Sequence, residues 1–266
     1  MTPDPADTPI IDTSRPHPAR VYDYLLGGKD NYPVDQELGE QMPPMAKAGV
    51  AQNRAFMRRA AGWAARTGID QFLDIGTGIP TRPNLHQIVQ EINPAARVVY
   101  TDNDPIVLRH AEALLISTPE GSTDYLDADV REPERILRHA RNSLDFDRPV
   151  ALSLIALMHF VPDEEDPYGI TRTLLAALPV GSCLILSHFT NEFLPAEEDK
   201  TETYRSSGIS LRPRTRPEVA RFFDGLDLVD PGVVTAPLWY KGTPAPQGSG
   251  HIDSFHVGVG RVTVRG

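Results

Sequence analysis

From Ala51 onward, apolar runs of strand length alternate with segments of helical period, and this alternation limits the 266-residue chain to few folds. Such a repeat buries its strands as a mostly parallel α/β sheet with helices on both faces. Helices are expected over residues 51–66, 84–92, 105–116, 132–141 and from Pro167 to about Leu178. The first carries Phe56, Ala60, Trp63 and Ala64 on one face, with Gly68 just past its end. The third carries Val107, Leu108, Ala111, Leu114 and Leu115, and the fourth turns Ile136 and Leu137 inward. Strands are expected over residues 69–75, 97–101, 123–128, 149–157 and 182–187, the fourth being the most apolar and so belonging at the sheet centre. Asp166 with Pro167 starts one helix, and Thr215 with Glu218 forms a capping box for another that ends near Asp224. Residues 232–238 and 255–264 close the chain as an antiparallel pair across the Pro/Gly/Ser-rich stretch 241–250.

Composition narrows the partners. A formal net charge of −10 argues against a chain that tracks a phosphate backbone, since that affinity comes from Lys and Arg. Arg205, Arg212, Arg214, Arg216 and Arg221 form one locally basic stretch, read as solvated arginines on a mobile segment. No apolar run approaches the roughly 18 residues of a membrane helix. The lone Cys183 has no disulfide partner and suits a reducing, cytoplasmic setting. No Cys/His cluster has metal-ligand spacing, so no metal is expected, and the oligomeric state is left open. Residues 1–16, rich in Pro, Asp and Thr, read as a disordered tail. Residues 17–50 read as an N-terminal helical cap and 51–266 as the main domain.

The first strand runs into Asp74, Ile75, Gly76, Thr77, Gly78, Ile79 and Pro80. Glycines at the carboxyl end of a parallel strand allow a tight turn and let a ligand approach bare main chain. The second strand ends at Asp102, an acid placed to accept both ribose hydroxyls of an adenosine group. A dinucleotide site would want a third glycine, but Thr81 stands there, and Pro80 and Pro83 delay the helix that would seat a diphosphate. A nicotinamide-dependent oxidoreductase is therefore disfavoured.

Asp-x-Gly-x-Gly after an apolar strand resembles motif I of the class I, Rossmann-like methyltransferases. From about His17 to Val264 the chain resembles a bacterial family of S-adenosyl methyltransferases long filed as a domain of unknown function. The resemblance rests on residues 20–32 (RVYDYLLGGKDNY), 72–81 (FLDIGTGIPT), 99–105 (VYTDNDP), 127–131 (DADVR) and 159–164 (HFVPDE). It implies S-adenosylmethionine as cofactor, a small-molecule methyl acceptor, and a seven-stranded sheet with a reversed last strand. Asp102 would then bind the ribose hydroxyls and Asn103 would flank the adenine. Asp129 would accept from the adenine amino group while the Val130 amide faces a ring nitrogen. Gly76 and Gly78, with Asp74 and Thr77 in the same loop, would lie against the methionine part, and backbone near Ala156 would receive its ammonium.

Methyl transfer needs a base only where the acceptor must first lose a proton. His159, after the central strand, is the candidate for that role, with packing beside the cofactor as the alternative; His188 reads as structural. The acidic run Asp163, Glu164, Glu165 and Asp166 reads as a solvated loop ending in a helix cap. Residues 18–26 are expected to form a helix closed by Gly27, either a lid whose Tyr24 and Asn31 reach the site or a helix packed on the sheet edge. Residues 195–208 are a second lid candidate. A secondary metabolite is the acceptor class suggested by analogy. A cofactor-binding regulatory or structural protein without turnover is the alternative function.

Overall fold

The computed structural model describes residues 12–114, 116–240 and 254–263, with the side chains of residues 108 and 111–114 excepted. The expectations placed on residues 1–11, on Leu108, Ala111, Leu114 and Leu115, on the loop 241–250 and on Val264 lie outside the described residues. The strands are β1 (Gln71–Ile75), β2 (Arg97–Asp102), β3 (Ser122–Asp127), β4 (Ala151–Ile155), β5 (Cys183–Phe189), β6 (Asp227–Leu228), β7 (Val234–Thr235) and β8 (Phe255–Arg261). They form one sheet in the order β3-β2-β1-β4-β5-β8-β6, with β7 also pairing β8. β1 to β5 pair in parallel, and β8 runs antiparallel to β5, β6 and β7. β4 takes the middle place, as its apolar run requires.

Adjacent strand residues point to opposite faces, and the core divides accordingly. Leu73, Val99, Leu152, Leu154, Leu184 and Leu186 face a cluster with Ile136, Leu174, Val219 and Phe222. These come from α6 (Pro133–Ala140), α7 (Pro167–Ala176), α9 (Arg216–Ala220) and the turn after it. Phe72, Val98, Tyr100, Ala151 and Ile185 face the other way, onto Phe56, Ala60, Ala64, Leu85, Val89 and Trp239. That layer is built from α3 (Ala46–Arg66), α4 (Leu85–Gln90) and the turn ending at Trp239. Each fully buried side chain of this size contributes roughly 1.5–3 kcal/mol, so the doubly covered sheet is the rigid frame for everything at its carboxyl edge.

The remaining helices gather at that edge. α1 (Pro18–Leu25) and α2 (Pro33–Glu40) pack Val21, Leu25 and Leu38 against Val50 of α3 and Ile209, which follows α8 (Thr201–Ser206). α5 (Pro105–Leu114) adds Ile106 and Val107 beside Ile79. Gly27, at φ +79°, closes α1 as expected. Asp166 accepts from the Gly169 N–H at 2.9 Å, and the Thr215–Glu218 capping box is formed.

Four expectations need correction. α3 begins at Ala46, so the boundary drawn between residues 50 and 51 falls inside one helix. The strand expected over 232–238 is reduced to Val234–Thr235, and Asp227–Leu228 pairs with β8 on its own, which makes eight strands among the described residues in place of seven. Pro231 lacks a ladder donor and Gly232 turns at φ +82°, so the chain cannot stay extended between the two pieces. The basic stretch is not uniformly a solvated surface, for Arg214 is 1% exposed. Its guanidinium donates to Met158 O (3.0 Å), Val161 O (3.1 Å) and Asp163 Oδ1 (2.5 Å). It also lies 2.9 Å from His188 Nε2. Burial and the Arg214 charge push His188 down to about 3, so its neutral ring accepts from Arg214 and donates from Nδ1 to Phe189 O at 2.8 Å. The acidic run is correspondingly not just solvated, since Asp163 also pairs with Arg212 at 3.0 Å.

Arg214 ties the turn after β4 to the end of β5, and removing it strands two carbonyls and a histidine. Arg214→Ala should lower unfolding free energy by about 3 kcal/mol or more in urea titration. A loss below about 1 kcal/mol would show that the network holds nothing.

Candidate functional site

The site is built at the seam between β1 and β2. In-register pairing of Ile75 with Thr101 brings the glycine turn beside Asp102. Thr101 O accepts the Gly76 N–H at 2.7 Å and the Thr77 N–H at 3.2 Å. Asp102 Oδ2 accepts the Gly78 N–H at 2.7 Å, and Oδ1 accepts the Asp104 N–H at 3.0 Å. Each carboxylate oxygen keeps a further lone pair for a ligand. Gly76 and Gly78 take φ values of +73° and +67°, a region that side chains resist. A Cβ on Gly76 would stand 2.7 Å from a methyl of Leu157, so the turn has to present bare backbone.

Around this seam lies a cleft of about 400 Å³, a size that suits a small molecule. Its wall includes Asp74, Gly76, Thr77, Gly78, Asp102, Asn103, Asp129, Val130 and Ala156. Nine residues singled out in the sequence thus converge on one space. Asn103 Nδ2 donates to Asp129 Oδ2 at 2.7 Å, and the Arg131 N–H donates to Asp129 Oδ1 at 2.9 Å. Ala156 sits at φ +53°, which costs a non-glycine residue roughly 1–2 kcal/mol. Two bonds hold it there, from its N–H to Ser187 Oγ (2.9 Å) and Ser187 O (3.2 Å). Strain of this kind gathers at functional sites.

Tyr24 and Asn31 are not in this wall. α1 turns Ala19, Tyr22, Asp23 and Leu26 to the cleft, the i, i+3, i+4, i+7 stripe of one helical face. Tyr24 is on the far side, over the space left by Gly39 and 5.5 Å from Lys47 Nζ. Asn31 donates to Asp23 Oδ2 at 2.8 Å and Gly28 O at 3.1 Å, so it shapes the loop that carries Asp23. His159 also stands outside the wall, which takes its neighbour Phe160 instead. Its ring is buried between Phe160, His188, Phe189 and Phe255. Burial, with His188 and Arg214 nearby, holds its pKa well below the ordinary value. Nδ1 accepts the Phe189 N–H at 3.2 Å, which leaves the proton of the neutral ring on Nε2. With neither nitrogen free to take a proton, the ring does not suit the base role anticipated for it.

Several residues of the site were not singled out from the sequence. Pro16 and His17, at the edge of the expected tail, line the cleft. His17 Nδ1 and Arg20 Nε lie 3.0 and 3.2 Å from Asp104 Oδ2, riveting α1 to the exit of β2. Arg54 of α3 lines the cleft with Nη2 bonded to Thr81 O and, at 3.2 Å, to Pro83 O. Its Nε is buried without a partner. Ile209 and Ser210 form the opposite rim beside Gly208, the last residue of the second lid candidate. No local pattern marks these positions, because they come together only through tertiary packing.

The carboxylates differ in character. Burial pushes Asp74 up to about 6 against the opposing pull of the Ser153 hydroxyl and the Arg54 cation. Burial also raises Asp102, in spite of its two backbone donors. At Asp129 burial acts upward too, but the Arg131 N–H, the Arg131 cation and the Asn103 amide prevail and hold it low.

Comparison with known proteins gives the family and the fold. A family model described as S-adenosyl methyltransferase matches residues 5–263. A DUF574-family protein from Streptomyces avermitilis MA-4680 is 47% identical, over 95% of this chain and 99% of that one, at a TM-score of 0.90. A Thermobifida fusca YX protein reported as a candidate methyltransferase is 36% identical, over 95% and 97%, at 0.86. A SAM-dependent methyltransferase from Anabaena variabilis ATCC 29413 is 14% identical over 93% and 96%, at 0.51, and shares the fold. No curated protein matches the chain.

Asp74 offers a pH test. Because its folded pKa is raised, its contribution to stability is complete below about 3.8 and is lost as pH rises through about 6. For the ligand-free protein, the stability of wild type relative to Asp74→Asn should fall by roughly 2 kcal/mol between pH 4 and 7. Urea titrations across that range would contradict the assignment if the difference stayed constant.

Proposed function

The chain belongs to the S-adenosyl methyltransferase family, and on that premise we propose that it methylates a small-molecule acceptor, a secondary metabolite by class, with the cofactor lying along the cleft over β3, β2, β1 and β4. The observation that carries this reading is the row of carboxylates at successive strand ends, Asp129, Asp102 and Asp74, around a turn of bare backbone. S-adenosylmethionine, when bound, supplies a methyl group on a sulfonium centre. Asp102 accepts from the ribose hydroxyls with its spare lone pairs, and its two backbone donors hold it in place to do so. Asp129 accepts from the adenine amino group beside the Val130 amide, and Asn103 braces Asp129.

At the other end, Arg54 and Asp74 face a ligand that carries a carboxylate and an ammonium on one carbon. Arg54 lines the cleft with its Nε unpartnered, and a cation beside Asp74 would lower the cost of ionising a carboxyl that burial holds up at about 6. Gly76, Thr77 and Ala156 present backbone between them. Asp74 and Asp102 would flank the middle of such a ligand, and the residues would contribute alignment rather than acid–base chemistry. Among the described residues no helix is long and apolar enough to cross a membrane.

Calorimetric titration tests both ends at once. Asp102→Ala should weaken binding of adenosylhomocysteine and of adenosine alike by at least about tenfold, since a charged hydrogen bond is worth roughly 1.5–3 kcal/mol. Arg54→Ala should weaken adenosylhomocysteine by a similar factor and leave adenosine unchanged. Equal affinities in wild type and Asp102→Ala would defeat the reading.

A further inference from the structure

A second cavity, of about 90 Å³, abuts the cleft and shares Pro18, Tyr22 and Phe160 with it. Its place along the sheet edge is telling. The cleft runs over β3, β2, β1 and β4, whereas this cavity continues past β4 over β5 and β8, through Phe189 and Phe255. Those two rings come from paired positions of β5 and β8 and lie 6.1 Å apart, with the His159 ring 6.1 and 6.2 Å from them. Phe160 closes the group 4.3 Å from His159. Helical residues Leu25, Ala46 and Val50 supply one side, and Leu194, Glu198 and Tyr204 supply another. The lining is mainly aromatic and aliphatic, with Glu198, Lys200, Thr201 and Ser254 among its polar members. One of them is unsatisfied, for Glu198 Oε2 is buried without a hydrogen-bond partner. An unmet buried acceptor costs roughly 1–3 kcal/mol unless a ligand supplies the donor.

We propose that this cavity is the methyl-acceptor site, and that it takes a compact aromatic molecule bearing an N–H or O–H group that Glu198 accepts. The proposal rests on the cofactor reading of the adjoining cleft and adds the acceptor class to it. At about 90 Å³ against about 400 Å³, the cavity has room for a ring and not for a second nucleoside. Tyr22 and Phe160 stand where cofactor and acceptor meet. Tyr22 is pinned there by bonds from its hydroxyl to Val50 O (3.2 Å) and from Asn53 Nδ2 (3.0 Å). His159, neutral and fixed by Phe189, serves as a wall of this cavity. That role accounts for a histidine buried among aromatic rings without a free lone pair.

Saturation-transfer NMR on the full chain, with adenosylhomocysteine saturating, tests the idea with three probes: 2-phenylethylamine, 2-phenylethanol and ethylbenzene. The amine and the alcohol should bind more tightly than the hydrocarbon, and Glu198→Gln should weaken the amine about tenfold while leaving ethylbenzene unchanged. Ala46→Trp, which fills the cavity from α3, should abolish all three signals, and Thr201→Trp should do so from the opposite wall. Adenosylhomocysteine affinity, measured by calorimetry, should be unaltered in each variant, which also reports that the variant is folded. The proposal is overturned if no probe binds a protein that still binds adenosylhomocysteine. It is equally overturned if the filled variants bind the probes as wild type does, or if Glu198→Gln changes nothing. Failure of adenosylhomocysteine itself to bind would instead strike the cofactor reading.

Discussion

One pair of hydrogen bonds organises the site: the Asp102 carboxylate holds the Gly78 N–H on one oxygen and the Asp104 N–H on the other. The first bond sets the shape of the glycine turn leaving β1, and the second sets the exit of β2. Because Asp104 in turn receives His17 and Arg20, the same carboxylate indirectly fixes where α1 lies over the cleft. The parallel register of β1 and β2 brings these partners within reach, and the two-sided core keeps that register from slipping.

The electrostatics follow from where each acid sits. Asp129 is braced by Arg131 and Asn103 and stays ionised easily, whereas Asp74 and Asp102 are raised by burial. A cationic ligand lowers the cost of ionising these buried groups, and hydroxyl donors reward Asp102 for the same reason. Arg54, half-buried on α3, adds a positive group to the same cleft. The overall formal charge of −10 is thus less informative than the placing of four side chains.

Much of this was legible in the sequence because it is local. An apolar run followed by Asp74, Gly76 and Gly78 specifies a strand and a tight turn within a few residues, and Asp102 and Asp129 mark later strand ends by the same logic. The run at β4 announced the sheet centre because only a doubly buried strand is apolar throughout. What failed depended on phase or on distant packing. Tyr24 and Asn31 stood close to the right residues, but one helical face admits Tyr22 and Asp23 and turns Tyr24 away. His159 follows β4 as expected, yet the turn after that strand carries Phe160 to the cleft and His159 to the cavity beyond. Arg214 resembles its exposed neighbours in sequence, and only the carbonyls of the turn after β4 make it a core residue. Arg54 lies on a helix whose pattern speaks only of its buried side.

The most direct test is a crystal structure of the chain with adenosylhomocysteine. Both ribose hydroxyls should lie within about 3 Å of the Asp102 carboxylate, the adenine against Asp129 and Val130, and the amino-acid end between Asp74 and Arg54. A nucleoside bound elsewhere, or one in the cleft whose ribose makes no contact with Asp102, would contradict it.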